Sequence, residues 1–265
     1  MYRTIVIGSS GEIGRAVVQA ALVRGDKVFG LDLAPSDLPG AVGTAAVDIQ
    51  SEANVEKAFA AAIQRLGGLD VVVNCAGLMT RGALLETSEA DFLRTIDTNL
   101  GGAFRVTRAA ARAMQAERAG AIVHISSIHA LRGAPNRVAY AASKGGISGF
   151  IHAVAGELGP EGITINAVAP GPTGRGMGSA PHDRARALER TPLRRAALAE
   201  EVAGAAMFLS SSAGRFITGH VLPVDGGASA TFFAASHLAG AHKMPLGAEV
   251  APKAQENSVM EETNQ

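Results

Sequence analysis

Tyr140 and Lys144 stand four residues apart in the stretch HISSIHALRGAPNRVAYAASKGG, residues 124–146. On a helix, positions four apart share a face, so a phenol and an ammonium there project into one cleft. A fixed cation favours the phenolate, and the spacing predicts a tyrosine pKa lowered toward working pH. Thirteen residues before Tyr140 stands Ser127, second of a serine pair closing the apolar run at 121–125. A hydroxyl there can hydrogen-bond a carbonyl or alkoxide oxygen. The three groups together suit proton transfer to or from a substrate oxygen. Each fragment alone is weak, because Tyr-x-x-x-Lys arises by chance and a serine after a strand is commonly a turn or cap residue. The case rests on the elements that must hold them.

Residues 3–8, RTIVIG, read as a short buried strand. A turn with Gly8, Gly11 and Gly14 follows, then RAVVQAALVRG with helical periodicity ending at Gly25. The next strand, KVFGLDL, carries Asp32. Strand, glycine turn, helix, strand and acid begin a dinucleotide-binding βαβ unit. The glycines, with Ser10 and Ile13 between them, would let the backbone approach a pyrophosphate at the helix N-terminus. Asp32 would accept hydrogen bonds from the adenine-side ribose and repel a 2′-phosphate. The expected cofactor is therefore NAD(H) over NADP(H), a preference that Arg15 tempers.

The pattern repeats. TAAVDI reads as a strand with Asp48 and Ile49 at its end, where Asp48 would meet the adenine amino group. The helix at 51–67 has Ser51 as its N-cap. LDVVVN is near-continuously apolar, as in a parallel sheet covered on both faces. It runs into the tight turn Asn74-Cys75-Ala76-Gly77, with Cys75 as a small buried filler. A long helical stretch at 88–119 contains Asn99, Gly101 and Gly102, which predict a kink or a break. The helix at 138–158 carries Gly145, Gly146, Gly149 and Gly156, which predict a close helix–helix contact, within the chain or between subunits. GITINAVAPG is a strand ending in Pro170-Gly171-Pro172-Thr173. Residues 174–197 have weak periodicity and read as a lid over the cleft. A helix at 199–210 and a strand within GHVLPVDGG complete the alternation.

Alternating strands and helices predict one α/β domain, a single doubly wound parallel sheet with right-handed crossovers, over residues 1–228. Gly8, Asp32, Asp48, Asn74, Ser127 and Pro170 then all fall at strand ends, where such sheets bind ligands. Residues 229–265 form a C-terminal extension, partly ordered or packed on a neighbouring subunit.

Bulk properties remove other classes. At 265 residues and 47% hydrophobic, the chain can bury a full core. Zero net charge, no basic run and 4% aromatics argue against nucleic acid. No apolar run is long enough to span a membrane. The opening MYRTIVIGSSGEIG starts a strand at once, without signal-peptide segments. The single cysteine excludes an intramolecular disulfide, and the histidines lack ligand spacing, so no metal site is expected. A cytoplasmic protein is expected.

The glycine turn, Asp32, Asp48, the Asn-x-Ala-Gly turn at 74–77, Asn99, Ser127, Tyr140, Lys144, Pro170-Gly171 and Val-Asp-Gly-Gly at 224–227 together resemble the short-chain dehydrogenase/reductase family. The likeness spans residues 3–228 and implies a Rossmann-type sheet with helices on both faces. It implies Tyr140 as general acid for ketone reduction and general base for alcohol oxidation. Lys144 would lower the Tyr140 pKa and hold the nicotinamide ribose, and Ser127 would polarise the substrate oxygen. Asn99 would hold the helix kink and a proton-relaying water. Asn74, Ala76, Gly77, Pro170, Gly171 and Thr173 would line the cofactor, and Met79, His129 and Pro172 the substrate pocket. The family expectation for assembly is a homotetramer or a dimer.

The turn departs from the family's Thr-Gly-x-x-x-Gly-x-Gly pattern. Ile7 holds the threonine position, Glu12 the middle glycine position, and Gly11 lies one residue early. Spacing of Gly8, Gly11 and Gly14 resembles the extended branch of epimerases and dehydratases, against which the 74–77 and 224–227 motifs argue. A glutamate facing a pyrophosphate would repel it, so Glu12 is expected to point to solvent, with cofactor affinity lowered. The readings are an NAD(P)-dependent alcohol dehydrogenase or ketoreductase, an epimerase or dehydratase, and a non-catalytic NAD-binding sensor or scaffold.

Overall fold

Among the described residues, seven strands, numbered β1 to β7 in chain order, form one fully parallel sheet in the order β3-β2-β1-β4-β5-β6-β7. The structure, a computed structural model, describes residues 1–174 and 181–230, with side chains from 184 onward in the second stretch. Part of the expected lid and nearly all of the C-terminal extension lie outside the described residues.

The strands are β1 (Arg3–Ile7), β2 (Lys27–Asp32), β3 (Gly43–Ala46), β4 (Val71–Asn74), β5 (Gly120–Ile125), β6 (Ile163–Pro170) and β7 (Val221–Val224). The helices are α1 (Glu12–Val23), α2 (Glu52–Leu66), α3 (Glu89–Ile96), α4 (Gly102–Met114), α5 (Val138–Leu158), α6 (Pro181–Glu189) and α7 (Ala199–Leu209). Side chains alternate across each strand. Ile5 and Ile7 of β1 therefore enter a core with Val72, Ile122, Ile165 and helices α2, α4 and α5. Val6, between them, enters a second core with Val73, Val123, Val168 and helices α1 and α7. Helices thus cover both faces, and β-branched residues fill both sides of the central strands.

Two elements differ from expectation, and a third, the stretch at 88–119, holds the kink or break expected of it. β3 ends at Ala46, short of Asp48, because it is an edge strand bonded to β2 alone. The stretch at 88–119 contains two helices joined through a single π-helical turn, Asp97–Gly101, with Asn99 buried at its centre. Within the expected lid, α6 is a regular helix; its polar sequence, PHDRARALE, carries little apolar periodicity. The glycines of α5 divide. A Cβ on Gly146 would stand 2.7 Å from Leu100 of the π turn, a close approach within the chain. Gly149 and Gly156 have nothing within 4 Å of a Cβ, so the described residues offer them no partner helix.

Candidate active site

The carboxyl ends of the strands share one edge, and the chain reverses its direction of winding between β1 and β4. Two turns meet at that crevice. Gly8 leaves β1 with φ 73°, and a Cβ on it would stand 2.7 Å from the Ala76 amide nitrogen. The glycine turn thus packs directly on the 74–77 turn. A Cβ on Gly14 would collide with the Gly8 carbonyl, so α1 begins flush against the strand end. Gly11 caps α1 without a side chain, leaving the N–H groups of the first turn open to an anion.

Asp32 closes β2 next to this turn. Its Oδ2 accepts from the Ser10 N–H at 2.9 Å and its Oδ1 from the Ala34 N–H at 3.1 Å. The carboxylate is thereby fixed in orientation. Arg15 donates to the Ser10 carbonyl at 3.0 Å and to Ser36 Oγ at 2.9 Å. Asp48 accepts from the Gln50 N–H at 2.9 Å. Ile49 turns its side chain into the core against Gly102, and its carbonyl accepts from Arg105. Its side chain is therefore not brought to the crevice. Ile13 packs on the core beneath α1. Past β6, Gly171 donates to the Val224 carbonyl at 3.0 Å, and a Cβ on it would stand 2.8 Å from Asp225 Cα. The Pro172 carbonyl accepts from the Ala197 N–H at 2.8 Å, and Thr173 Oγ1 donates to the Gly171 carbonyl at 3.1 Å.

Tyr140 and Lys144 both lie on the buried face of α5, under the end of β5. Lys144 Nζ donates to the Ile125 carbonyl at 2.9 Å and lies 5.7 Å from the centre of the Tyr140 ring. The Ser127 side chain reaches toward the Tyr140 phenol, close enough to act on its pKa. β5 stops at Ile125 and a 3-10 turn, Ile128–Ala130, follows. That turn brings the His129 ring edge-on to Tyr140, centres 5.9 Å apart, and the His129 backbone N–H donates to Ser127 Oγ at 3.2 Å.

Asn99 clamps the site from the π turn. Its Nδ2 donates to the Leu78 carbonyl and to Ser143 Oγ, both at 2.8 Å, and its Oδ1 accepts from the Leu78 N–H at 2.7 Å. Ser143 in turn donates to the Tyr140 carbonyl at 2.8 Å. A Cβ on Gly77 would stand 3.3 Å from both Asn99 Oδ1 and Lys144 Nζ. Asn99, Gly77 and Lys144 are therefore neighbours, and the loop after β4 is tied to the helix that bears Tyr140.

The electrostatics correct the expected tyrosine. Burial raises the Tyr140 pKa, while the Ser127 side chain and the Arg137 charge act to lower it. The phenol is thus held protonated, ready to donate. Burial brings Lys144 down to about 8, the nearby Cys75 opposing. The Cys75 thiol is pushed up to about 12 by burial, with Lys144 pulling the other way, so it is a poor nucleophile. Burial also lowers the His129 pKa, so the ring beside Tyr140 is neutral near pH 7.

Two further polar residues stand behind the site. His124, in the middle of β5, is 1% exposed. Its Nδ1 accepts from Asn74 Nδ2 at 3.2 Å, which leaves its Nε2–H to donate to Thr107 Oγ1 at 2.8 Å. Asn74 is thereby oriented so that its Oδ1 accepts from the Ala76 N–H at 3.2 Å. The signal for His124 was an imidazole inside the apolar run AIVHI; for Ser143 it was a hydroxyl three residues after Tyr140.

Comparison with known proteins decides the family. Residues 8–229 match the family model described as enoyl-(acyl carrier protein) reductase. The chain belongs to the short-chain dehydrogenase/reductase family. It is 37% identical over 225 residues to the 3-oxoacyl-[acyl-carrier-protein] reductase MabA of Mycobacterium avium, covering 84% of this chain and 88% of that protein. It is 38% identical over 236 residues to the FabG reductase of Chlamydia muridarum, covering 84% and 95%. A solved levodione reductase superposes with TM-score 0.81 at 28% identity, covering 86% of this chain and 98% of that one. This short-chain family member is an NAD(P)-dependent dehydrogenase/reductase. The crevice fits a dinucleotide in its open first turn of α1, its fixed Asp32 and its buried Lys144; Glu12 is the discordant charge. Among the described residues no helix is long and apolar enough to cross a membrane, and no three His, Cys, Asp or Glu side chains gather as a metal set.

Proposed function

We propose that the protein interconverts a secondary alcohol and a ketone, with Tyr140 as general acid in reduction and general base in oxidation. The observation that carries this reading is a buried phenol beside the Ser127 side chain and one turn from Lys144, whose Nζ lies 5.7 Å from the ring centre. Bound nicotinamide supplies or accepts the hydride. Ser127 orients the substrate oxygen toward the Tyr140 hydroxyl. The Lys144 cation stabilises negative charge that develops on the phenol as the proton leaves. Asn99 holds the loop after β4 and, through Ser143, the backbone of Tyr140, so it positions the pair.

The preferred nucleotide on this reading is NAD(H). Asp32 holds a fixed negative charge where the adenine-side ribose is expected, which disfavours a 2′-phosphate. The names of the relatives put 3-oxoacyl thioesters and levodione first among ketones to test. Addition of a productive ketone is expected to consume NADH with a higher kcat/KM than NADPH, and Asp32→Ala is expected to narrow that gap. Wild-type preference for NADPH would overturn the cofactor reading, and no turnover across a broad ketone and alcohol panel would overturn the reaction.

A further inference from the structure

His124 interrupts the apolar run of β5 between Val123 and Ile125, all three of them buried. An imidazole buried there costs free energy unless its nitrogens find partners. Both do. Asn74, its register partner on β4, donates to Nδ1, and Nε2–H donates to Thr107 Oγ1 of α4. Asn74 and Thr107 are buried as well, so the chain of three side chains is shielded from water. Burial, and after it the nearby Lys144 cation, keeps the imidazole neutral.

The chain ends at the crevice. Asn74 uses the other end of its amide on the turn that follows, where Oδ1 accepts from the Ala76 N–H at 3.2 Å. The amide therefore has one workable orientation. Rotated by half a turn, it would set its oxygen against the Nδ1 lone pair and its NH2 group against the Ala76 N–H. What His124 fixes is thus the 74–77 turn, which touches two parts of the crevice. A Cβ on Gly8 would stand 2.7 Å from the Ala76 nitrogen, and a Cβ on Gly77 3.3 Å from Lys144 Nζ.

We propose that His124 is a positioning residue for the cofactor: through the Asn74 amide it holds the 74–77 turn at the spacing from Gly8 and Lys144 that a nicotinamide dinucleotide needs. This inference rests on the dinucleotide reading of the crevice and is independent of which alcohol or ketone reacts. Without the imidazole, Asn74 Nδ2 has a buried donor and no acceptor, a costly state that the amide relieves by turning and releasing Ala76. A nucleotide must then restore the turn as it binds, and affinity falls. The effect falls equally on NADH and NADPH, because the turn lies away from Asp32 and the 2′ position.

The test compares wild type with His124→Phe, which keeps a ring without nitrogens, and His124→Gln, which keeps an oxygen able to accept from Asn74. Thr4→Val is the stability control. It removes a buried hydrogen bond to Asp26 near the far end of β1 from Gly8. Thermal melting gives the stability of each free protein, and nicotinamide fluorescence titration, at a temperature where all are folded, gives the affinities for NADH and NADPH. His124→Phe is expected to bind both nucleotides about five- to fiftyfold more weakly, the span of one buried donor left without its partner. His124→Gln should recover most of that loss, and Thr4→Val should melt lower yet bind as wild type. Should His124→Phe not fold, His124→Asn, too short to span Asn74 and Thr107, takes its place with the same expectation. A folded His124 variant that melts lower but binds as tightly as wild type would make the residue merely structural and overturn the inference, leaving the dinucleotide site standing. Failure of wild type to bind either nucleotide would overturn the dinucleotide reading and this inference with it.

Discussion

The chemistry of this protein turns on how burial treats individual titratable side chains. Tyr140 is held neutral by burial, and Lys144 is brought down to about 8 by the same cause. The residue with the clearest consequence for stability is His124, whose pKa burial lowers from 6.5 to about 3. A histidine that titrates lower in the folded state leaves the unfolded chain with more bound protons between those values. Stability should therefore fall as pH drops from about 6.5 toward 3, and this contribution should be fully present above that window. His124→Gln removes the titration, so its melting temperature is expected to fall less steeply over the same range. Parallel melting curves for the two proteins from pH 7 to 4 would contradict the assignment. The shared face of Tyr140 and Lys144 was legible in their i, i+4 spacing, whereas Ser127 gained weight only from the strand and helix around it. The sign of the tyrosine shift was not legible, because burial beneath the end of β5 is a tertiary fact.

At the scale of elements, the π turn between α3 and α4 does the positioning. Asn99 was visible in sequence as an unfavourable helix residue ahead of two glycines. Its partners were not visible: Leu78 is 21 residues away and Ser143 is 44. Asn99→Ala removes three buried or part-buried hydrogen bonds and leaves Leu78 and Ser143 short of partners. The expected cost is about 1–3 kcal/mol of stability, read as a lower melting temperature, together with a fall in kcat. Asn99→Asp keeps the acceptor for the Leu78 N–H but lacks the two donors, and should not restore kcat. Full activity in Asn99→Ala would remove the residue from the positioning set. The same limit explains α6. Its polar sequence gives no stripe to read, whereas α5 is bounded in sequence where the structure bounds it. β3 was read two or three residues too long because nothing in TAAVDI marks an edge strand.

Across the whole molecule, the organising fact is that every strand delivers its carboxyl end to one crevice. Gly8, Asp32, Asn74 and Pro170 sit at or immediately after those ends, and Asp48 and Ser127 lie two residues beyond them. The sequence pattern of strand, turn and acid already implied this convergence, since a parallel sheet with helical crossovers must gather its loops on one edge. The contact of the Glu12 carboxylate with Gly174 was beyond its reach, because it joins residues that only the folded sheet brings together. The account stands or falls on Tyr140 as the proton donor to a ketone oxygen. The most direct measurement is turnover of Tyr140→Phe on the best ketone and nucleotide pair, alongside nicotinamide fluorescence binding to both proteins. Loss of one general acid predicts a fall in kcat of about 10²–10⁴, with nucleotide affinity unchanged. A Tyr140→Phe protein that turns over at the wild-type rate would contradict the account.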